Sequence, residues 1–225
     1  MLINISGRQT TNLNISCGIS SIHESKNLKI LGITVDDRLS FNIHINNICD
    51  KINRIVSLLY RIRYFMPKKA LNLIYKSLVQ STIDYGISLY GFTYKTHYQR
   101  IESIQRRAVR LICRERNNVC SLYKSLNWMP FTNRRNYFCS IFIYKCLNRL
   151  NAIPCQTLFN YRQTRLRTRS CSNNELVLPN SHLQCYLNTI FYQGVKIYNS
   201  LLINIRNCES FIIFIKNVKK FFIDF

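Results

Sequence analysis

The chain has 225 residues, 47% of them hydrophobic, and sets 32 Lys and Arg against 10 Asp and Glu, a formal net charge of +22 at pH 7. That apolar fraction excludes a disordered polybasic tail and suffices for one domain, or two small ones, with a real core. The charge excludes a body indifferent to anions, because such an excess repels itself unless an anionic partner lies against it. Nucleic acid is the first partner class to consider and anionic lipid the second.

The acids are unevenly placed: none lies between Glu115 and Glu175, where arginines abound, so an extended positive surface is expected. Abundant Ile, Asn, Lys, Tyr and Phe fit AT-rich coding DNA and weaken any argument from lysine alone, which leaves the arginines as the better guide. The longest stretch free of charged residues, Leu176 to Val195, contains Pro179, Asn180, His182, Gln184, Asn188 and Gln193. It is too polar to span a bilayer, so no membrane partner is expected. Met1 to Arg8 shows no signal-peptide pattern, and an intracellular protein, nuclear or cytoplasmic, is expected rather than a secreted one. The 10 Cys include no Cys-x-x-Cys pair and are read as reduced core thiols with no metal site. Cys113 with Cys120, and Cys139 with Cys146, are spaced to share a helix face.

In chain order, residues 11 to 35 alternate short apolar runs with turn residues. They suggest a small antiparallel β-meander with a turn near Gly18 and a buried strand from Leu28 to Val35. After Asp37 the period changes. Ile45, Ile48, Ile52, Ile55 and Leu59 make a helix stripe, with Lys51, Arg54 and Arg61 on the other side. Pro67 opens a second helix with Leu71, Ile74, Tyr75, Leu78 and Val79 on its apolar face, stopped by Tyr85-Gly86. A third helix is expected from Tyr98 to Arg114, seamed by Ile101, Ile104, Ala108 and Leu111, with Arg106, Arg107, Arg110 and Arg114 opposite. Further helices are expected over Arg134–Asn148, Leu183–Asn199 and Ser210–Phe221, and an exposed loop over Asn160–Asn174. The fold class is α+β, mainly α. Residues 1–40 form the β-element, 41–155 a helical bundle, and 156–225 a basic loop with C-terminal helices.

The doublet Asp36-Asp37 imitates a catalytic pair. A two-metal site needs carboxylates from separate strands, and the only earlier acid, Glu24, is too near in sequence to supply one. The doublet is therefore expected to end a strand in a turn, with Asp37 available as a helix cap.

Several segments in register resemble the C-terminal part of reverse transcriptases from non-LTR retrotransposons of the Jockey-like and related LINE groups. Leu28 to Ile45 (LKILGITVDDRLSFNIHI) is similar to the strand following their catalytic hairpin, with Leu31-Gly32 in the primer-grip position. Ala70 to Gly91 (ALNLIYKSLVQSTIDYGISLYG) resembles the next helix and its Tyr-Gly turn. Ile101 to Ile112 (IESIQRRAVRLI) resembles the Gln-Arg-Arg-Ala-x-Arg helix. Leu126 to Asn148, Thr164 to Ser170, Tyr198 to Leu201 and Phe214 to Phe222 follow in order. The likeness runs from about residue 13 onward. It departs at Tyr198 and Tyr90, where the family has Trp, and at Leu202, where it has Pro.

The resemblance implies the end of a palm, a thumb-like helical bundle and a C-terminal extension of an RNA-directed DNA polymerase. The family's aromatic-Ala-Asp-Asp hairpin and further upstream Asp have no match here. No catalytic residue is carried over, no cofactor is expected, and Mg2+ would belong to the missing palm. The expected role is binding of RNA, DNA or RNA–DNA hybrid, with a palm-containing polymerase fragment as a further partner. Charge and shape govern such a grip on a template–primer. The phosphate-binding residues expected are Lys51, Arg54, Arg61, Arg106, Arg107, Arg110, Arg114, Arg134 and Arg135. Arg165, Arg167 and Arg169 join them, a processing or localisation patch being their rival role. Tyr137, Tyr144 and Tyr161 are assigned to core packing rather than base stacking. The alternative to a polymerase fragment is a stand-alone basic helical protein recruited from a retroelement.

Overall fold

A computed structural model describes residues 15–17, 20–22, 25–115, 118–151, 158–162 and 174–224. Two short antiparallel hairpins come first. β1 (Ile15–Cys17) pairs with β2 (Ser20–Ile22), and β3 (Asn27–Ile30) with β4 (Ile33–Asp36). Among the described residues they are two separate two-stranded sheets rather than one meander.

The expected continuous strand from Leu28 to Val35 is in fact the β3–β4 hairpin, folded at Leu31-Gly32, which leaves Ile30 paired with Ile33. Both turn residues have positive φ, 47° and 84°, the handedness that matches the twist of a two-residue hairpin. Asp36 explains the turn that follows. Its Oδ1 accepts from the Arg38 amide (3.1 Å) and the Ser40 amide (2.7 Å), and its Oδ2 from the Ser40 hydroxyl (2.8 Å). The doublet ends a strand, as expected, but Asp36 rather than Asp37 closes the turn.

α1 (Asn42–Ile62) buries Ile45, Ile48, Cys49, Ile52, Val56 and Leu59, the three-and-four spacing of one helix face. Pro67, with φ −68°, stands just before α2 (Lys68–Ile74), where its missing N–H costs nothing. A wider π-helical stretch, Tyr75–Gln80, joins α2 to α3 (Ser81–Asp84). Gly86, with φ 69°, turns the chain into α4 (Ile87–Tyr90). α5 (Lys95–Cys113) follows, then α6 (Val119–Leu126), whose first turn is capped by the Asn118 side chain accepting from the Cys120 amide at 3.1 Å. The break between α5 and α6 separates Cys113 from Cys120.

α7 (Phe131–Leu147) carries Cys139 and Cys146, both buried as expected. The single helix expected over Leu183–Asn199 is divided at Asn188-Thr189 into α8 (Gln184–Leu187) and a π-helical Ile190–Gly194 that continues as α9 (Val195–Ser200). α10 (Ile203–Arg206) and α11 (Phe211–Asp224) close the described chain.

The elements enclose two apolar cores. The first is formed by α1 to α6 with Trp128 and Phe131. Trp128 stacks on Tyr75 at 3.7 Å between centroids and donates to Asn72 Oδ1 at 2.8 Å, so its apolar body and its N–H are both satisfied. The second core gathers Phe92, Met129, Phe159, Leu176 and the buried faces of α7, α9 and α11. Tyr144 stacks on Phe214 at 4.0 Å within it, the core role expected of that tyrosine. α7 serves both cores: Phe131 and Phe138 face the first, Cys139, Ile143 and Tyr144 the second. No residue of α7 is exposed, as such a shared position requires.

Candidate nucleic-acid interface

α1 and α5 lie side by side and run parallel, held in constant register by polar rungs. Arg100 donates to Asn46, and Arg107 donates to Asn53 at 2.5 Å, each pair 54 residues apart in sequence. The rungs are seven residues apart on both helices, two turns of helix, so they fall on one seam. The next pair in that register is Tyr60 and Arg114. Here the pattern changes: Arg114, with φ 58°, ends α5 in the left-handed conformation, and its Nη2 donates to the carbonyls of Arg63 (2.5 Å) and Met66 (3.1 Å). A guanidinium at a helix C-terminus satisfies carbonyls that have no helical partner.

A cleft of about 680 Å3 opens at this third rung, lined by Val56, Tyr60, Arg63, Tyr64, Arg107 and Arg110 among others. Arg63 lies between two tyrosines, its guanidinium carbon 4.2 Å from the Tyr60 ring centre and 4.5 Å from that of Tyr64. Arg54 and Arg61 are exposed one residue beyond the seam positions Asn53 and Tyr60, and Arg110 is exposed on α5. Arg106 is exposed and faces Glu102 across one turn at 3.4 Å, an ion pair of little strength in solvent.

Lys51 lines a second cleft, about 520 Å3, together with Lys29, Gly32, Thr34, His44, Asn47 and Tyr85. The structure thus brings Lys51 beside the hairpin tip where Leu31-Gly32 was expected to act. Leu31 is 84% exposed there, and its carbonyl accepts a hydrogen bond from the Tyr85 hydroxyl. A Cβ on Gly32 would lie 3.6 Å from the Tyr85 ring, and one on Gly86 would stand 2.5 Å from Ile33. The Tyr-Gly turn therefore docks on the hairpin through two glycines. Behind it, burial holds the His44 imidazole below its ordinary range, and its Nδ1 accepts from the Thr34 amide at 3.4 Å.

Arg134 and Arg135 are placed differently. The Arg134 guanidinium forms a two-pronged ion pair with Asp84, both side chains largely buried. Burial raises the Asp84 carboxyl above its usual range while the Arg134 contact opposes that rise. Arg135 donates to the Gly91 carbonyl (3.1 Å) and covers Phe92, 4.7 Å from its ring centre, and burial lowers its affinity for its proton. Both arginines are engaged within the fold. Arg165, Arg167 and Arg169 lie outside the described residues.

Sequence reasoning passed over Arg63, Tyr60, Tyr64 and Arg100. The spacing of Tyr60-Arg63-Tyr64, three and four apart, is the signal that could have found the first three. Among the described residues no helix is long and apolar enough to cross a membrane.

Two curated proteins, both of Drosophila melanogaster, resemble part of the chain. It is 34% identical over 90 residues, 37% of its length, to the RNA-directed DNA polymerase from mobile element jockey, of which the match covers 10%. It is 31% identical over 87 residues, again 37% of its length, to the probable RNA-directed DNA polymerase from transposon X-element, with 10% of that protein covered. The chain therefore spans about a tenth of the length of the curated relatives it matches. The likeness to non-LTR retrotransposon polymerases expected from the motifs is thus found, over that part of the chain. No family model matches, and no solved structure matches.

Proposed function

We propose that this chain is the nucleic-acid-gripping part, thumb and C-terminal extension, of a non-LTR retrotransposon RNA-directed DNA polymerase, and that it holds a template–primer through the joined faces of α1 and α5. One observation carries this reading. The two helices bear Lys51, Arg54, Arg61, Lys95, Arg100, Arg106, Arg107 and Arg110 against only Asp50 and Glu102, on a pair fixed in register by side-chain rungs. Planar guanidinium groups on a rigid pair of helices can pair with successive phosphates in two-pronged fashion. Contacts of this kind read charge and spacing rather than bases. The polymerase chemistry belongs to an aromatic-Ala-Asp-Asp motif that does not occur in these 225 residues, so the role proposed is binding.

The test is anisotropy of a labelled RNA–DNA hybrid across a salt series. If about 6–10 phosphates are neutralised, affinity falls by about 10³- to 10⁵-fold between roughly 50 and 200 mM salt, with little dependence on base sequence. A flat salt response, or no binding at low salt, would show the basic face to be merely solvated.

A further inference from the structure

The third rung of the α1–α5 seam differs from the first two in chemistry as well as geometry. Where Asn46 and Asn53 hold Arg100 and Arg107, the register position on α1 is Tyr60, and the arginine opposite, Arg114, has turned away to backbone carbonyls. The space left is the cleft of about 680 Å3, within the range of roughly 300–1,000 Å3 typical of small-molecule sites. Its lining combines apolar Val56 and Leu111, two aromatic rings, and cationic Arg63, Arg107, Arg110 and Arg114 against the single acid Glu115. The rings are not core residues: Tyr60 is 56% and Tyr64 71% exposed. Between them, Arg63 keeps a buried Nε with no hydrogen-bond partner. Exposed rings beside arginines offer stacking surface and positive charge together, which suits a flat, apolar group attached to a phosphate.

We infer that this cleft takes an unpaired base of a nucleic-acid strand whose flanking phosphates lie on Arg107 and Arg110. The inference rests on the nucleic-acid reading above and deepens it, assigning the single-stranded extension of the duplex to this cleft. Base stacking on Tyr60 and Tyr64 is indifferent to base identity, since every base presents a π-face. A neutral aliphatic ligand would bring no charge to the arginines and no flat face to the rings.

The full chain is titrated with one duplex in four forms: blunt, with a thymidine tail, with a uridine tail, and with a tail of abasic sites carrying the same charge. The expected result is that a base-bearing tail binds about tenfold more tightly than the abasic tail. Tyr60→Ala with Tyr64→Ala abolishes that gain while leaving blunt-duplex affinity and its salt dependence in place. Tyr64→Phe, which keeps a ring, retains the gain. A gain from both base-bearing tails, or from only one, supports the inference, and a gain from only one identifies the nucleotide the cleft accepts. Equal affinity for base-bearing and abasic tails overturns the inference while leaving the duplex-binding reading standing. A tyrosine double variant that weakens blunt and tailed duplexes alike also overturns it. Absence of binding to any of the four overturns both readings.

Discussion

At the scale of single residues, the arginines of this chain divide into two kinds that share a formula but not a circumstance. Arg134 meets Asp84 in a largely buried pair, and Arg114 donates to the carbonyls of Arg63 and Met66 beyond the end of α1. Arg110 stands exposed at the mouth of the cleft. Removing a buried partner strands its counter-charge in a medium that cannot solvate it, whereas removing an exposed cation loses one released counterion. Arg134→Ala is therefore expected to cost about 3 kcal/mol in urea unfolding and to leave the salt slope of nucleic-acid binding unchanged. Arg110→Ala is expected to leave the unfolding midpoint in place and to make the slope shallower by about one unit. Measuring both quantities on both variants checks the division, and an exchange of the two phenotypes would refute it.

At the scale of elements, the hairpin β3–β4 and the Tyr85-Gly86 turn act as one unit, although more than 50 residues separate them. Gly86 combines φ 69° with a Cβ position 2.5 Å from Ile33, so Gly86→Ala introduces both backbone strain and overlap. It is expected to destabilise by about 1–3 kcal/mol in urea unfolding. Leu31→Asn at the hairpin tip should do the reverse, by roughly 0.5–1 kcal/mol. Leu31 sits at φ 47° with its side chain 84% in solvent, and Asn tolerates that conformation at lower cost.

The same contrast explains what was legible in the sequence. α1 and α5 repeat their buried residues over 21 and 19 positions, long enough for the 3.6 period to stand out. α4 has four residues and α6 eight, too few turns to establish a period. The apolar run Ile30-Leu31-Gly32-Ile33 looks the same whether straight or folded. What bends it is two positive φ values and a tyrosine hydroxyl arriving from residue 85. The basic face was visible as a stripe on the α5 helical wheel, but the wheel places Arg114 among the free arginines. Its partners are the carbonyls of Arg63 and Met66, about 50 positions away in the chain. The occupation of Arg134 by Asp84 was hidden for the same reason: no local pattern records a contact made through tertiary packing.

For the whole molecule the governing quantity is the net charge of +22 on a 225-residue chain. Self-repulsion of that size acts against the folded state at every distance shorter than the screening length, about 10 Å at 0.1 M salt and about 3 Å at 1 M. The two principal effects of added salt then have opposite signs. Screening relieves repulsion among the exposed cations of α1 and α5 and their neighbours, so folding stability should rise with salt. The same screening weakens attraction to phosphate, so nucleic-acid affinity should fall. Thermal unfolding of the free chain between about 0.05 and 0.5 M NaCl should move Tm upward by about 2–4 °C for each kcal/mol of repulsion removed. A polyanion at low salt should raise Tm without added NaCl, because the ordered cationic face of the folded state binds it more tightly than the unfolded chain does, and NaCl should then erase that gain. Were Tm instead to fall as NaCl is added to the free chain, the exposed charges would be contributing favourable pairs. Pairs with the 10 acids would then outweigh repulsion among the 32 cations, and self-repulsion would not be what limits the fold.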